Sequence, residues 1–276
     1  MSLARLAAQL DASRQQLAEQ AEQLARGLAL PVDVLEVADR LGVSVEVRAR
    51  RGRRDGGVSR TTEGLRVVLF RAADTATPFS PRERFTLAHE YAHVLLHREG
   101  VRGPTTRSEY WQTEGVCHEF AGRLLIPDVA LESHLLSARD CAGALRGLQR
   151  LVYWCDVSPA VASHRAGGHL LNATLIELVP ATDNDQRRLA TVRYCIENAP
   201  WLGQGAGKYI DADHVFAGLV QQQARSPAGT VLEHLLDGQP AVSLRRPAAI
   251  WAVRMPPLLA PECHEPLLAH QLALSL

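Results

Sequence analysis

The chain has 276 residues, 46% of them apolar, and equal numbers of basic and acidic side chains, 30 of each. That apolar fraction fills one large core or two smaller ones, and the zero net charge excludes a global attraction to nucleic acid or to an anionic membrane. No stretch approaches the ~18 apolar residues of a membrane helix. The first 28 residues lack the apolar run of a secretory leader, and the five cysteines (Cys117, Cys141, Cys155, Cys195, Cys263) are irregularly spaced, so no disulfide framework, no membrane partner and a cytoplasmic location are expected.

Residues 2–28 read as a long helix, with Leu3, Leu6, Leu10, Leu17, Leu24 and Leu28 at helical spacings, packed on its own domain. Pro31 to Leu41 forms a short helix ended by Gly42, and Val43 to Arg48 alternates as a strand. A basic turn follows from Arg48 to Gly57, with Gly and Asp in hairpin positions. Two readings of its arginines stand: Arg50, Arg51, Arg53 and Arg54 contact phosphates or an acidic substrate, or they form a solvated loop. Leu65 to Phe70 is another strand, so a small sheet precedes the next element.

The stretch Ser80 to His97 opens with Ser80, Pro81 and Glu83, a Ser-x-x-Glu capping box with proline at the first helical position. Inside it lies His89-Glu90-Tyr91-Ala92-His93. Residues four apart share a helix face, so His89 and His93 present two imidazoles to one point, with Glu90 beside them. That is the H-E-x-x-H pattern of zinc peptidases, with glutamate as general base. Apolar Phe85, Ala88, Ala92, Leu95 and Leu96 give the helix a core face. A third ligand candidate, Glu114, opens a second helix stopped by Pro127. Two histidines and one carboxylate leave a fourth tetrahedral position for water, the arrangement of a catalytic Zn2+. Tyr91 points away from the ligand edge. His118, one turn beyond Glu114, and Tyr110 are candidates to support a ligand or the oxyanion. His97 continues the histidine face as a supporting or helix-end residue. Cys117 leans to the same side as Glu114. It is either a small buried hydrophobe or an inhibitory zinc ligand that displaces the catalytic water.

These residues carry a resemblance. Leu30 to Val43, Phe85 to His97 and Glu114 to Pro127 resemble the ImmA/IrrE family of zinc metallopeptidases, over about residues 25–170. Glu114, Phe120, Ala121, Leu124, Leu125 and Pro127 match that family's second helix; Cys117 and His118 depart from its usual Ala and Asn or Asp. The resemblance implies an α+β chain. Residues 1–127 would form a zincin-like metallopeptidase core with an N-terminal helix, whose small sheet flanks the cleft and holds substrate backbone as an added strand. Residues 128–167 would form a helical, helix-turn-helix-like segment, and residues 168–276 an α+β sensor domain, GAF-like by position alone.

In that segment Pro127 to Ser137 and Asp140 to Trp154 read as helices, and Val157 to Arg165 as a turn and short helix. Only Ser163, His164 and Arg165 offer polar groups for base readout, so structural packing is expected there. After Gly167-Gly168, strands are expected at His169–Val179, Arg188–Glu197, Pro240–Arg245 and Ala248–Met255, and a helix at Asp211–Gln223. The loop Trp201 to Tyr209 holds three glycines and Lys208, the only lysine, but lacks the ending of a phosphate loop.

The resemblance further implies a regulatory protease that cuts a helix-turn-helix repressor after DNA damage or phage infection. The layout is also similar to the CapP proteases of anti-phage operons, with single-stranded DNA as activator. Arg-rich loops and Trp201 or Tyr209 would then contact backbone and stack on bases. The alternative is a non-catalytic transcription regulator whose metal only braces the fold.

Overall fold

The computed structural model describes residues 3–50, 52–62, 64–71, 78–135, 141–167, 174–180, 188–197, 209–211, 216–228, 230–236, 239–246 and 249–254. The chain divides into two compact units, residues 1–137 with 146–166, and residues 138–145 with 167–276.

In the first unit, α1 (Leu3–Ala25) buries Leu10, Ser13, Leu17, Ala21 and Ala25, a stripe at helical spacing that packs on α4 (Arg107–Leu125). Burying a leucine such as Leu17 stabilises the fold by roughly 1.5–3 kcal/mol. The short helix α2 (Val34–Leu41) starts three residues later than the sequence suggests, because Asp33 is its cap and accepts the backbone N–H groups of Leu35 and Glu36. Gly42 ends it in the left-handed conformation, φ 62°, where glycine carries no Cβ penalty.

The sheet departs from the expected hairpin. β1 (Ser44–Ala49) pairs in parallel with β3 (Gly64–Arg71), and β2 (Gly56–Thr61) pairs antiparallel with β3, giving the order β1-β3-β2. The basic segment therefore connects two strands that do not pair, and the hairpin joins β2 to β3. β2 was not foreseen: Gly-Gly-Val-Ser-Arg-Thr has no apolar alternation, and β3's backbone ladder rather than side-chain pattern makes it a strand. β3 is the core of the sheet, with Val67, Val68 and Leu69 buried.

α3 (Pro81–Arg98) has the full capping box: Ser80 Oγ accepts the Glu83 N–H, and the Glu83 carboxylate accepts the Ser80 N–H. It packs on β2, β3 and α4. Buried Arg84 donates to the carbonyls of Val32, Cys155 and Asp156, and Tyr91 donates to Val34 O at 2.8 Å. These bonds fix the rotation of α3 about its axis and hold Tyr91 away from the ligand edge, as expected. α4 begins at Arg107, two turns before Glu114, under a second capping box made by Thr106 and Glu109. Glu114 thus sits mid-helix, where its backbone is held on both sides.

α5 (Asp128–His134), α6 (Cys141–Trp154) and α7 (Pro159–Gly167) follow near the expected positions. On α7 Ser163 and Arg165 are buried, and Arg165 donates to Ile126 O and pairs with Asp128 and Glu22. Of the three polar groups considered for base readout, His164 alone is exposed, which leaves α7 a packing element.

In the second unit, six strands form an antiparallel sheet in the order β6-β5-β4-β9-β8-β7: β4 (Thr174–Pro180), β5 (Arg188–Glu197), β6 (Tyr209–Asp211), β7 (Val231–Leu236), β8 (Gln239–Arg245) and β9 (Ile250–Arg254). α8 (Ala217–Ala224) packs on β4, β5 and β8 through Leu219, Val220 and Gln223. Asp211, expected to open that helix, is instead the last residue of β6, and β7 is a strand the sequence reading did not include. The Trp201–Lys208 loop lies outside the described residues, as does the side chain of Tyr209. No described helix is long and apolar enough to cross a membrane.

Candidate metal centre and active site

Among the described residues, His89, His93 and Glu114 are the one set of three whose ligand-type atoms converge, all within 4.8 Å of one another. His89 Nε2 lies 3.1 Å from His93 Nε2 and 3.2 Å from Glu114 Oε2, and His93 Nε2 lies 3.5 Å from Glu114 Oε1. Ligand atoms about 2.0–2.1 Å from a tetrahedral ion stand about 3.3–3.4 Å apart. The spacings are close to that value, with the Glu114 carboxylate turning one oxygen to each histidine, and the donor chemistry, two imidazoles and a carboxylate, fits zinc.

The charges agree with this geometry. Hydrogen bonds from His89 and His93 hold the Glu114 carboxyl well below the usual carboxylate range. Burial opposes the charged form of His93, but the bond to Glu114 and the nearby Glu90 outweigh it and raise its pKa. Glu90 is pushed up by burial, against the pull of both histidines. A carboxylate made more basic in this way is a better proton acceptor.

A residue missed in the sequence sets where Glu90 stands. At Gly56, the first residue of β2, an added Cβ would lie 2.6 Å from Thr86 Cγ2 and 3.2 Å from Glu90 Cγ and Oε1. The strand can pass this close to α3 only as glycine. Gly56-Gly57 was visible, but it read as part of a turn.

The supporting candidates separate. His118 lies with its ring 4.8 Å from that of His89 and 5.6 Å from Phe85, and burial lowers its pKa. It is beside His89, yet His89 Nδ1 is buried without a hydrogen-bond partner. Cys117 is fully buried, its Sγ 3.6 Å from His93 Nδ1. That nitrogen is on the opposite side of the ring from Nε2, so the thiol stands behind a ligand instead of at the position water would take. Burial also pushes its pKa far up, which keeps it a thiol. The geometry gives the inhibitory-ligand idea no support. His97 Nε2 lies 3.4 Å from Arg60 Nη2, one turn past His93. Tyr110 is 45% exposed and packs edge-on against Trp111. Arg50 pairs with Asp55, which also binds Arg82, while Arg53 and Arg54 are exposed; Arg51 lies outside the described residues. Next to Glu90 and His93 a cleft of about 490 Å3 opens between β2, β3, α3 and the segment before α4.

Comparison with protein-family profiles gives a match. Residues 79–151 fit the family profile described as the IrrE N-terminal-like domain, a peptidase family. No curated protein matches the chain. The profile spans α3 and α4, so it covers all three converging donors and Glu90, but not β2 or the sheet of the second unit.

Proposed function

We propose, from the match of residues 79–151 to the IrrE N-terminal-like domain, that this chain is a zinc-dependent regulatory endopeptidase that cleaves a helix-turn-helix repressor in response to DNA damage or phage infection. One observation carries the reading: His89, His93 and Glu114 bring their donor atoms within 4.8 Å of one another while Glu90 stands beside them, half-buried in the wall of the cleft. A metal-braced scaffold would have no use for that fourth group.

A bound zinc ion would acidify water at its open position to a pKa of about 7 and polarise the scissile carbonyl. His89, His93 and Glu114 would hold it. Glu90 takes the proton from the attacking water and passes it to the leaving amine. β2 orients the substrate. Among the described residues it pairs with β3 alone, and its Gly56 end lies beside Glu90, so an extended peptide can add to the sheet with its backbone at the reacting centre. The antiparallel sheet of the second unit, backed by α8, supports a sensor role of GAF-like type, and single-stranded DNA is the proposed signal.

The experiment is co-expression of a helix-turn-helix repressor, the one expected from a neighbouring gene, with the wild type or with Glu90→Gln, with and without DNA damage, followed by mass spectrometry of fragments. A single cut made only by the wild type, and only after damage, is expected. A repressor intact under all conditions, or cut equally by Glu90→Gln, overturns the proposal.

A further inference from the structure

The cleft of about 490 Å3 has Glu90 and His93 in one wall, so whatever occupies it lies against the reacting centre. Its apolar lining includes Val58, Leu96 and Val101, which would pack the stem of a side chain. Two guanidinium groups line it, and they are not equivalent. Arg102 is spent: Nη2 binds Glu109 Oε1 at 2.6 Å and Nη1 binds Thr105 Oγ1 at 3.2 Å. Arg60 is exposed and lacks a carboxylate partner among the described residues; its one hydrogen-bond contact is His97 Nε2 at 3.4 Å. A guanidinium facing an imidazole nitrogen leaves most of its five donors free. The other charge in the lining is Glu90, which is committed to proton transfer. The cleft is thus an apolar slot beside the scissile bond with one unpaired cationic fork, held on β2 by the backbone that also seats Glu90.

We propose that this cleft receives an acidic side chain of the substrate next to the cleaved bond, with Arg60 as the specificity-determining residue and His97 beside it. The inference rests on the peptidase reading and names the substrate class that site selects. A carboxylate there engages the Arg60 fork in two parallel bonds, while its methylenes cover the apolar lining.

The test uses the full-length, zinc-loaded protein and three short peptide hydroxamates that differ only in Glu, Leu or Lys beside the chelating group. The Glu compound should bind about tenfold or more tighter than the others, and Arg60→Glu should shift the preference to Lys. Equal binding of Glu and Leu, or a Glu preference that survives Arg60→Glu, overturns the assignment. A second arm digests a peptide library with the wild type, Glu90→Gln and Arg60→Glu, and maps the cuts. Acidic residues should be enriched at one position flanking wild-type cuts and lost in Arg60→Glu. If no cut depends on Glu90, the peptidase reading fails while the hydroxamate ranking still decides the cleft. If none of the three hydroxamates binds, both fall.

Discussion

Two clusters of polar side chains, one in each unit, make an instructive pair. In the first, His89, His93 and Glu114 aim their donor atoms at a shared point beside a cleft, and Glu90 stands at its rim. In the second, Ser243 Oγ lies 2.6 Å from His234 Nε2 and 2.7 Å from Gln223 Nε2. Distance alone would rank the second as the better catalytic pair, since a serine within reach of a histidine has the outline of an activated nucleophile. Burial decides otherwise. Ser243 and Gln223 are fully buried, and Ser243 Oγ is already engaged by both neighbours. That cluster fastens α8 to β7 and β8. The first turns its donor atoms to a cleft; the second turns its hydroxyl inward, onto two neighbours that already hold it.

The largest expected effect tests the first cluster. Glu114→Ala removes a ligand and leaves two imidazoles, so zinc content by mass spectrometry should fall from about one equivalent towards none, and peptidase activity by at least about a hundredfold. Chelation of the wild type should do the same, reversed by added zinc. Retained zinc in Glu114→Ala would mean that the donors are not those three.

Next in size is Gly56→Ala. The added Cβ would press on Thr86 and Glu90, and displacement of a catalytic group by about 1 Å costs on the order of a hundredfold. We expect kcat to fall about ten- to a hundredfold with zinc content unchanged. A full-speed enzyme would show that β2 does not seat Glu90.

Ser243→Ala sharpens the other side. Leaving Gln223 and His234 without their shared partner should cost about 1–3 kcal/mol in denaturant unfolding of the second unit, while zinc affinity stays the same. Altered zinc affinity would erase the distinction between the two clusters.

The smallest effect concerns α4, which carries Glu114. The N–H and hydroxyl of Thr105, then the N–H of Thr106 and Arg102, hold the Glu109 carboxyl below its ordinary value. A carboxyl depressed on folding adds stability that is present above the unfolded value of about 4.3 and is lost as pH falls through the folded one. Glu109→Gln should therefore lower the melting temperature at pH 7, and the gap to wild type should narrow below about pH 4.3. A gap independent of pH would assign the loss to shape instead of charge.

What the sequence determined by itself was local. The i, i+4 rise of a helix puts His89 and His93 on one face whatever surrounds them, and Ser80 with Glu83 marks where that helix starts. The capping box at Thr106 and Glu109 was equally legible and places the start of α4, although the reading from Glu114 passed over it. The family resemblance rested on the same helices together with Leu30 to Val43, and the profile match covers α3, α4, α5 and most of α6. What only the tertiary structure decided was non-local. β2 is a strand because β3 offers it a ladder, not because Gly56 to Thr61 shows a period. Gly56 matters because that strand crosses α3 at Glu90, and Arg60 because the same strand carries it to the cleft. Cys117 shares a helix face with Glu114, and periodicity could not say which nitrogen of His93 it would meet; the packing of α4 against α3 set that. A helix repeats its own geometry from sequence alone, whereas an edge strand and a cleft are made by partners far away in the chain, and their meaning appears only when those partners are in place.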